Sequence, residues 1–308
     1  MTARRFPHIV WPGALLLAGL YWIYWRIGHP DPALLERLGF LPGVGVLGAI
    51  VANASGTGGG VVFVPVFHAL DALGRLHLTA MQVTAASMGI QSMGMTMGSL
   101  RWTERLLHQD DHPLAPGAAH ARIRDYAAVI ALVLALSLPA LLATQRLFRA
   151  DEHAVLVGYK LFSIALGSIL VVVTWTIHRE LPERTQLEKI DLAVLALLAV
   201  PGGFITALFS VGMGEIVALY LFIRHYPLVL CTGTACAISA VSVLAGLGWH
   251  VAAGTVPWEV VVLAAPGAAL GGFLARPIAI WLGARRLKTA AGLWIVCSSL
   301  YLMALTAR

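Results

Sequence analysis

Charge is scarce in this chain of 308 residues. Asp, Glu, Lys and Arg make up 12% of it, whereas hydrophobic residues make up 59% and the mean hydropathy is +0.82. Soluble domains carry about one quarter charged residues. Several stretches reach the ~20 apolar residues that a helix needs to cross a bilayer, and the alternation typical of membrane strands is absent. The sequence therefore predicts an all-α polytopic membrane protein.

Cysteine is also scarce. Cys231, Cys236 and Cys297 lie inside apolar stretches without CxxC or Cys/His spacing, so the pattern indicates neither a disulfide framework nor a zinc site. The net charge of +6 comes from Lys and Arg scattered over short loops, which argues against a nucleic-acid partner. We expect no metal site and no cofactor.

Hydropathy divides the chain into one helix followed by two similar series. The first helix is predicted at residues 9–25. It follows Arg4 and Arg5 as in a signal peptide, but no small-x-small cleavage site comes after it, which favours an uncleaved helix. Each series is a glycine-broken pair of short segments plus three spanning helices. The predicted segments are 39–55, 58–70, 78–100, 126–148 and 154–177 in the first series, and 191–210, 212–223, 228–249, 258–282 and 287–304 in the second.

The domain organisation follows from this division. Residues 1–38 form the N-terminal helix and an external linker, 39–177 the first repeat, 178–190 a cytoplasmic connector and 191–308 the second repeat. Lys and Arg in short loops mark the cytoplasmic side. They place the N-terminus in the cytoplasm of a cell inner membrane and give the two repeats opposite orientations.

The two glycine runs that break the short pairs lie within residues 51–61 and 206–216. A glycine run where a membrane helix should continue exposes backbone amides and carbonyls, and lipid tolerates this only around a cavity or a protein contact. Paired interruptions in corresponding places of two halves are typical of a transporter binding site. The sequence therefore predicts a carrier.

The run Gly58-Gly59-Gly60-Val-Val-Phe-Val-Pro65 resembles a hallmark of the sulfite exporter TauE/SafE family of membrane permeases. In the second half, the stretches 233–235, 254–258, 267–276 and 285–288 are similar to the family's motifs and follow their order. The resemblance covers most of residues 39–305. It implies transport of small sulfur oxyanions or organosulfonates (sulfite, thiosulfate or organosulfonate type), driven by a proton or ion gradient, without a prosthetic group.

An oxyanion that crosses a membrane needs a replacement for its water, and unpaired amides at the N-terminus of a half-helix supply one. We expect half-helices to begin at Gly58 and Gly212, with small polar side chains adding contacts. The alternative is that these side chains only cap the broken helices and ease close packing. The predicted substrate-binding residues are Asn53, Ser55, Gly56, Thr57, Gly58, Gly59, Gly60, Gln82, Thr84, Ser210, Gly212, Gly214, Thr232 and Thr234.

Glu215 is the one acidic residue next to a glycine run. A carboxylate at the bilayer centre costs roughly 3 kcal/mol, so an intramembrane acid is functional by default. We predict that Glu215 is a proton or cation site that couples transport. The alternative is a structural carboxylate that caps its own half-helix.

Other classes of function have weaker signals. Five methionines crowd one helix and would suit Cu(I), which gives a soft-metal (copper) transporter as the alternative; they are Met81, Met88, Met93, Met95 and Met97. The spans carry no HExxH, GxSxG or paired-aspartate pattern, so neither an enzyme nor a catalytic residue is predicted. A scaffold does not need broken helices at membrane depth. The expected partners are the lipid bilayer and a small anion, with a homo-oligomer left open as a further alternative.

Overall fold

The computed structural model describes residues 8–29, 32–111, 118–148, 151–176 and 182–306, and the secondary structure of these residues is helical throughout. The helices are α1 (Val10–Gly28), α2 (Pro32–Arg37), α3 (Leu41–Ser55), α4 (Gly60–Ala72), α5 (Ala80–Leu107), α6 (Ile123–Leu147), α7 (Glu152–Thr176), α8 (Lys189–Phe209), α9 (Met213–Ile223), α10 (Leu228–Ala252) and α11 (Trp258–Thr306), with a 3-10 turn at Gln109–Asp111.

Five of these elements are long and apolar enough to cross a membrane by length and composition. They are α6, α7, α8, α10 and the first part of α11, Trp258–Gly283. The all-helical, multi-pass membrane class is therefore confirmed. The backbone leaves the helical region at Gly283, where φ is 73°, so α11 consists of the two helices that the sequence predicts. α1 is not among the five, and its assignment as a spanning helix stays a prediction.

Both predicted breaks are present. α3 and α4 are separated by residues 56–59, here called the first break, and α8 and α9 by residues 210–212, the second break. α4 begins at Gly60, two residues later than predicted, because Gly58 and Gly59 belong to the connection. The short helix α2 lies in the segment predicted as a linker.

α5 is the centre of the fold. Most of its side chains are buried, although the helix is rich in Gly, Ser, Thr, Gln and Met. They are buried because other helices of the protein surround α5. α3 and α11 approach each other so closely that the backbone carbonyls of one helix occupy the space that a Cβ on the other would need. A Cβ on Gly45 would meet the Ala264 carbonyl, one on Gly267 the Pro42 carbonyl, and one on Gly272 the Gly94 carbonyl of α5. Small residues allow such backbone contact between membrane helices.

A polar cluster joins the start of α8 to the end of α9. The carboxylate of Asp191 is fully buried and accepts hydrogen bonds from Arg224 Nε (2.7 Å), the Tyr220 hydroxyl (2.7 Å) and the Tyr226 hydroxyl. Arg224 also pairs with Glu188 at 2.7 Å. Burial and the bond to Asp191 raise the pKa of Tyr226. This cluster, here called the Asp191 clamp, holds together the two ends of the second broken pair.

Some sequence predictions fall beyond the residues that the structure describes. Arg4 and Arg5, which precede the first helix, do so, as do the end of the predicted span 154–177 and the first residues of the connector 178–190. The inverted orientation of the repeats and the domain boundaries remain predictions.

Candidate functional site

The first break is a compact, buried turn. Gly56 ends α3 in the left-handed conformation (φ 75°), with its N–H bonded to the Ala52 carbonyl at 3.0 Å. Glycine adopts this conformation without the strain of a side chain. The Ser55 hydroxyl donates to the Val51 carbonyl (2.6 Å) and accepts from the Thr57 hydroxyl (2.6 Å). The predicted hydroxyl groups of this break are therefore bonded within the break itself.

The second break contains two unusual backbone conformations. Ser210 ends α8 with φ 57°, and Gly212 has φ 148°. A positive φ at a residue other than glycine costs roughly 1 kcal/mol or more and persists only where surrounding contacts fix it. Thr206 supplies one such contact, since its hydroxyl oxygen accepts from the Met213 N–H at 3.0 Å and its proton goes to the Gly202 carbonyl.

Gln91 of α5 ties the two breaks together. Its Oε1 accepts the Gly59 N–H at 2.6 Å. Its Nε2 donates to the Ser210 carbonyl (3.0 Å), the Ser210 hydroxyl (2.8 Å) and the Ser87 hydroxyl (2.9 Å). These contacts also explain why Ser210 holds its strained conformation, because its carbonyl and hydroxyl oxygens both accept from the Gln91 amide. Gln91 thus fixes the position of one break relative to the other.

Glu215 lies where the two half-helices begin. Its Oε2 accepts the Gly212 N–H at 2.7 Å, just before α9. Its Oε1 faces Gly58 of the first break, where an added methyl group would lie only 2.5 Å away. Among the described residues, Oε1 has no hydrogen bond of ordinary geometry, and the side chain is 2% exposed. One buried carboxylate therefore stands between two helix N-termini, each of which favours negative charge.

The space around this carboxylate is small. A cavity of about 10 Å³ adjoins Glu215, close to what a single water molecule needs. Its polar lining comes from both sides of the second break and from α10, through Thr206, Ser210, Ser239 and Ser242. An ion larger than a water molecule does not fit into this space as it stands.

The structure brings most of the predicted residues to this junction. Gly60, the first residue of α4, packs on the Ser210 carbonyl, and Gly56 of the first break packs on the Thr232 backbone. Gly214 faces Ser239 of α10. Asn53 is buried in the last turn of α3, with its Nδ2 bonded to the Ala49 carbonyl and its Oδ1 unpaired among the described residues.

Gln82 and Thr84 lie elsewhere, and the hydroxyl of Thr234 bonds to its own helix. Gln82 forms a capping box with Thr79 at the exposed start of α5, because it precedes the buried part of that helix. The Thr84 hydroxyl donates to the Leu208 carbonyl at 2.9 Å and lines a different cavity. The Thr234 hydroxyl donates to the Leu230 carbonyl of its own helix.

Sequence reasoning missed Gln91 and selected Gln82 instead. A signal for Gln91 was available, because it lies near the middle of the predicted span 78–100, whereas Gln82 lies near its beginning. An amide at mid-depth needs bonded partners, and an amide at the end of a span finds water.

The five methionines of α5 lie in different surroundings. Met88, Met93 and Met97 pack in the hydrophobic cluster around α3, α4 and α11, whereas Met95 packs in a separate one. Met81 is 47% exposed. This arrangement fits flexible packing of apolar side chains, and it adds nothing to the copper alternative.

These observations define a class of protein. Broken membrane helices whose N-termini meet at one buried polar junction are typical of secondary membrane transporters. The chain belongs to the sulfite exporter TauE/SafE family, whose model matches residues 41–302. The resemblance drawn from the glycine runs is thereby confirmed, and the chain is a membrane permease of a family that transports sulfite and related sulfur-containing anions. Neither a curated protein nor a solved structure matches the chain.

Proposed function

We propose that this protein is a secondary transporter that moves small sulfur-containing anions by alternating access around the junction of the two breaks. The observation that supports this most is the position of Glu215 between the N-termini of α4 and α9. Helix N-termini bind oxyanions through free amides and the helix dipole. The substrate contacts are inferred to be the predicted residues at the breaks, together with Gln91.

Glu215 occupies the position that an anion needs. Its carboxylate already uses the Gly212 N–H, and Thr206 uses the Met213 N–H. Two like charges 4 Å apart repel by about 4 kcal/mol at an effective dielectric constant of about 20, which is roughly a thousandfold in affinity. The anion therefore binds when Glu215 is protonated or has turned away. This exclusion couples anion movement to a proton.

The two halves are inferred to be inverted repeats in a cell inner membrane, with the N-terminus in the cytoplasm. The order of elements supports this, because each half contains a broken pair followed by longer helices. The loop charges support the orientation. The halves differ at the site, since α9 carries Glu215 at its third position and α4 carries Val62 there. With one carboxylate at the junction, we expect one proton for each anion.

The test is uptake of labelled sulfite, thiosulfate and ethanesulfonate into proteoliposomes, with and without an imposed pH gradient. We expect the wild type to accumulate at least one of these anions when a gradient is imposed. Glu215→Gln resembles the protonated residue, so we expect it to lose gradient-driven accumulation and to keep exchange of labelled for unlabelled anion.

Glu259→Gln is the matched control, because Glu259 also lies in the first turn of a helix, α11. It should behave as the wild type does. Accumulation by Glu215→Gln equal to that of the wild type would refute coupling through Glu215. Transport of Cu(I) with no transport of any anion would refute the proposed function and support the copper alternative.

A further inference from the structure

A second, larger cavity lies between α5, α6, α7, α8 and α10. Its volume is about 100 Å³, enough for several water molecules or a small oxyanion with a short carbon chain. Its apolar lining, here called the apolar wall, includes Phe148, Val155 and Trp249, while the polar lining includes Gln145 and His250. The cavity therefore offers contacts to both the polar and the apolar part of a ligand.

The two cavities follow one another along the same helices. α8 lines the small cavity with Thr206 and the large one with Ala207, and α10 lines them with Ser242 and His250. Between these positions, Gln145 Nε2 of α6 donates to the Gly246 carbonyl of α10 at 3.2 Å. The larger cavity thus lies about two helical turns further along α10 than the small one.

The polar atoms of the larger cavity are acceptors when His250 is neutral. We assign the Nδ1–H tautomer to neutral His250, because the Thr255 hydroxyl can then donate to the His250 carbonyl (3.3 Å) and accept from Nδ1–H at 2.8 Å. The other nitrogen, Nε2, then carries a lone pair, and it has no partner among the described residues. Gln145 Oε1 is also buried and unpaired. These two acceptors are buried behind the cavity lining without a bonded partner, so a ligand in the cavity bonds to them once their side chains shift toward it.

We propose that this cavity is an entry site for the transported anion, in which an oxyanion binds only when His250 is protonated. A neutral His250 presents a lone pair that repels an oxyanion. A protonated His250 presents an Nε2–H donor and a positive charge, and its Nδ1–H bond to Thr255 stays in place. The apolar wall then favours a short-chain sulfonate over an inorganic anion. This inference rests on the proposed function.

The surroundings leave His250 as the group that titrates. Among the described residues that line the cavity, it is the only titratable one. Of the described charged side chains on the packed elements, those nearest in sequence are Arg146 on α6 and Asp151 and His153 at the start of α7, all exposed. Within the described residues, α5, α8 and α10 contribute no charged side chain to the lining.

The experiment measures binding of labelled ethanesulfonate to the full-length protein in detergent, by equilibrium dialysis between pH 5 and pH 8.5. It uses the Glu215→Gln background, in which the inner site no longer titrates. We expect affinity to weaken by up to tenfold for each pH unit in the range where His250 is mostly neutral. In Glu215→Gln/His250→Gln, affinity should be independent of pH. His153→Gln is the matched control and should leave the pH dependence unchanged.

A second measurement does not depend on the folding of a His250 variant. Binding of ethanesulfonate to Glu215→Gln in weakly buffered solution should take up close to one proton per anion at the upper end of the pH range, read with an indicator dye. The proposal is wrong if no proton is taken up, or if the pH dependence survives in the double variant. It is also wrong if ethylammonium binds instead and binds more tightly as pH rises, because the cavity then binds a cationic hydrogen-bond donor and not an anion.

These outcomes differ from a failure of the proposed function. If the wild type neither binds nor transports any anion at any pH, the proposed function fails. If the wild type transports with a pH dependence that His250→Gln leaves unchanged, only the entry site fails.

Discussion

Gly58→Ala tests the contact between the first break and Glu215. The added methyl group would lie 2.5 Å from Glu215 Oε1 and 3.2 Å from Gln91 Oε1. A comfortable carbon contact is about 3.5 Å, so the carboxylate must retreat by roughly 1 Å. It is held by the Gly212 N–H at 2.7 Å, and hydrogen bonds to charged groups are worth about 1.5–3 kcal/mol. Each 1.4 kcal/mol is tenfold, so transport should fall by about 10-fold to 100-fold.

The assay is initial uptake into proteoliposomes, with the midpoint of thermal unfolding in detergent measured alongside. We expect little loss of stability, because the end of a side chain can move and Gly58 does not have a positive φ. Gly43→Ala is the matched control in α3, where an added methyl group meets nothing within 4 Å. A Gly58→Ala variant with the uptake rate and pH response of the wild type would refute the proposed role of this contact.

Three further predictions concern the elements that position the site. Gln91→Leu removes the bridge between the breaks and should lower stability by at least about 2 kcal/mol and abolish transport. Gln82→Leu at the exposed start of α5 removes only a capping bond, so it should cost no more than about 1 kcal/mol and leave transport unchanged; equal effects of the two would contradict this reasoning. Asp191→Asn should destabilise the protein in thermal unfolding by about 2 kcal/mol. This is less than the loss expected for a fully buried ion pair, because Arg224 is 27% exposed. An unchanged midpoint would show that the Asp191 clamp adds no stability. The folded state raises the pKa of Tyr226, so the stability that Tyr226 contributes is present below its unfolded pKa of about 10 and is lost as pH rises through the folded pKa. Stability should therefore fall less steeply above pH ~10 in Tyr226→Phe than in the wild type. Equal slopes would contradict this.

The sequence was enough to predict the helical class and the places of both breaks. Apolar runs of spanning length and glycine runs that interrupt them are local signals, and most helices begin and end within a few residues of the predicted positions. α5 is an exception, since it continues to Leu107, seven residues past its predicted end. Glu215 stood out for the same reason, since an acid beside a glycine run in an apolar segment is visible without any knowledge of the fold.

The partners of these residues were not predictable in the same way. Gln91 meets Ser210, which is 119 residues away, and this depends on the rotation of α5 about its own axis. Asp191 meets Arg224 and Tyr226 across more than 30 residues. The strained φ of Ser210 follows from the contacts of Gln91 and has no signature in the local sequence. Tertiary packing decides such details, and apolar periodicity does not encode it.

The close approach of α3, α5 and α11 limits how this protein can move. At Gly45, Gly267 and Gly272 a carbonyl of the neighbouring helix fills the space of a Cβ, so these helices interlock and cannot slide along each other without first separating. Shear within this trio is therefore excluded as a small, low-energy motion. We expect any change of conformation to be a rigid rotation of the trio against α6, α8 and α9, with the hinge at the two glycine breaks.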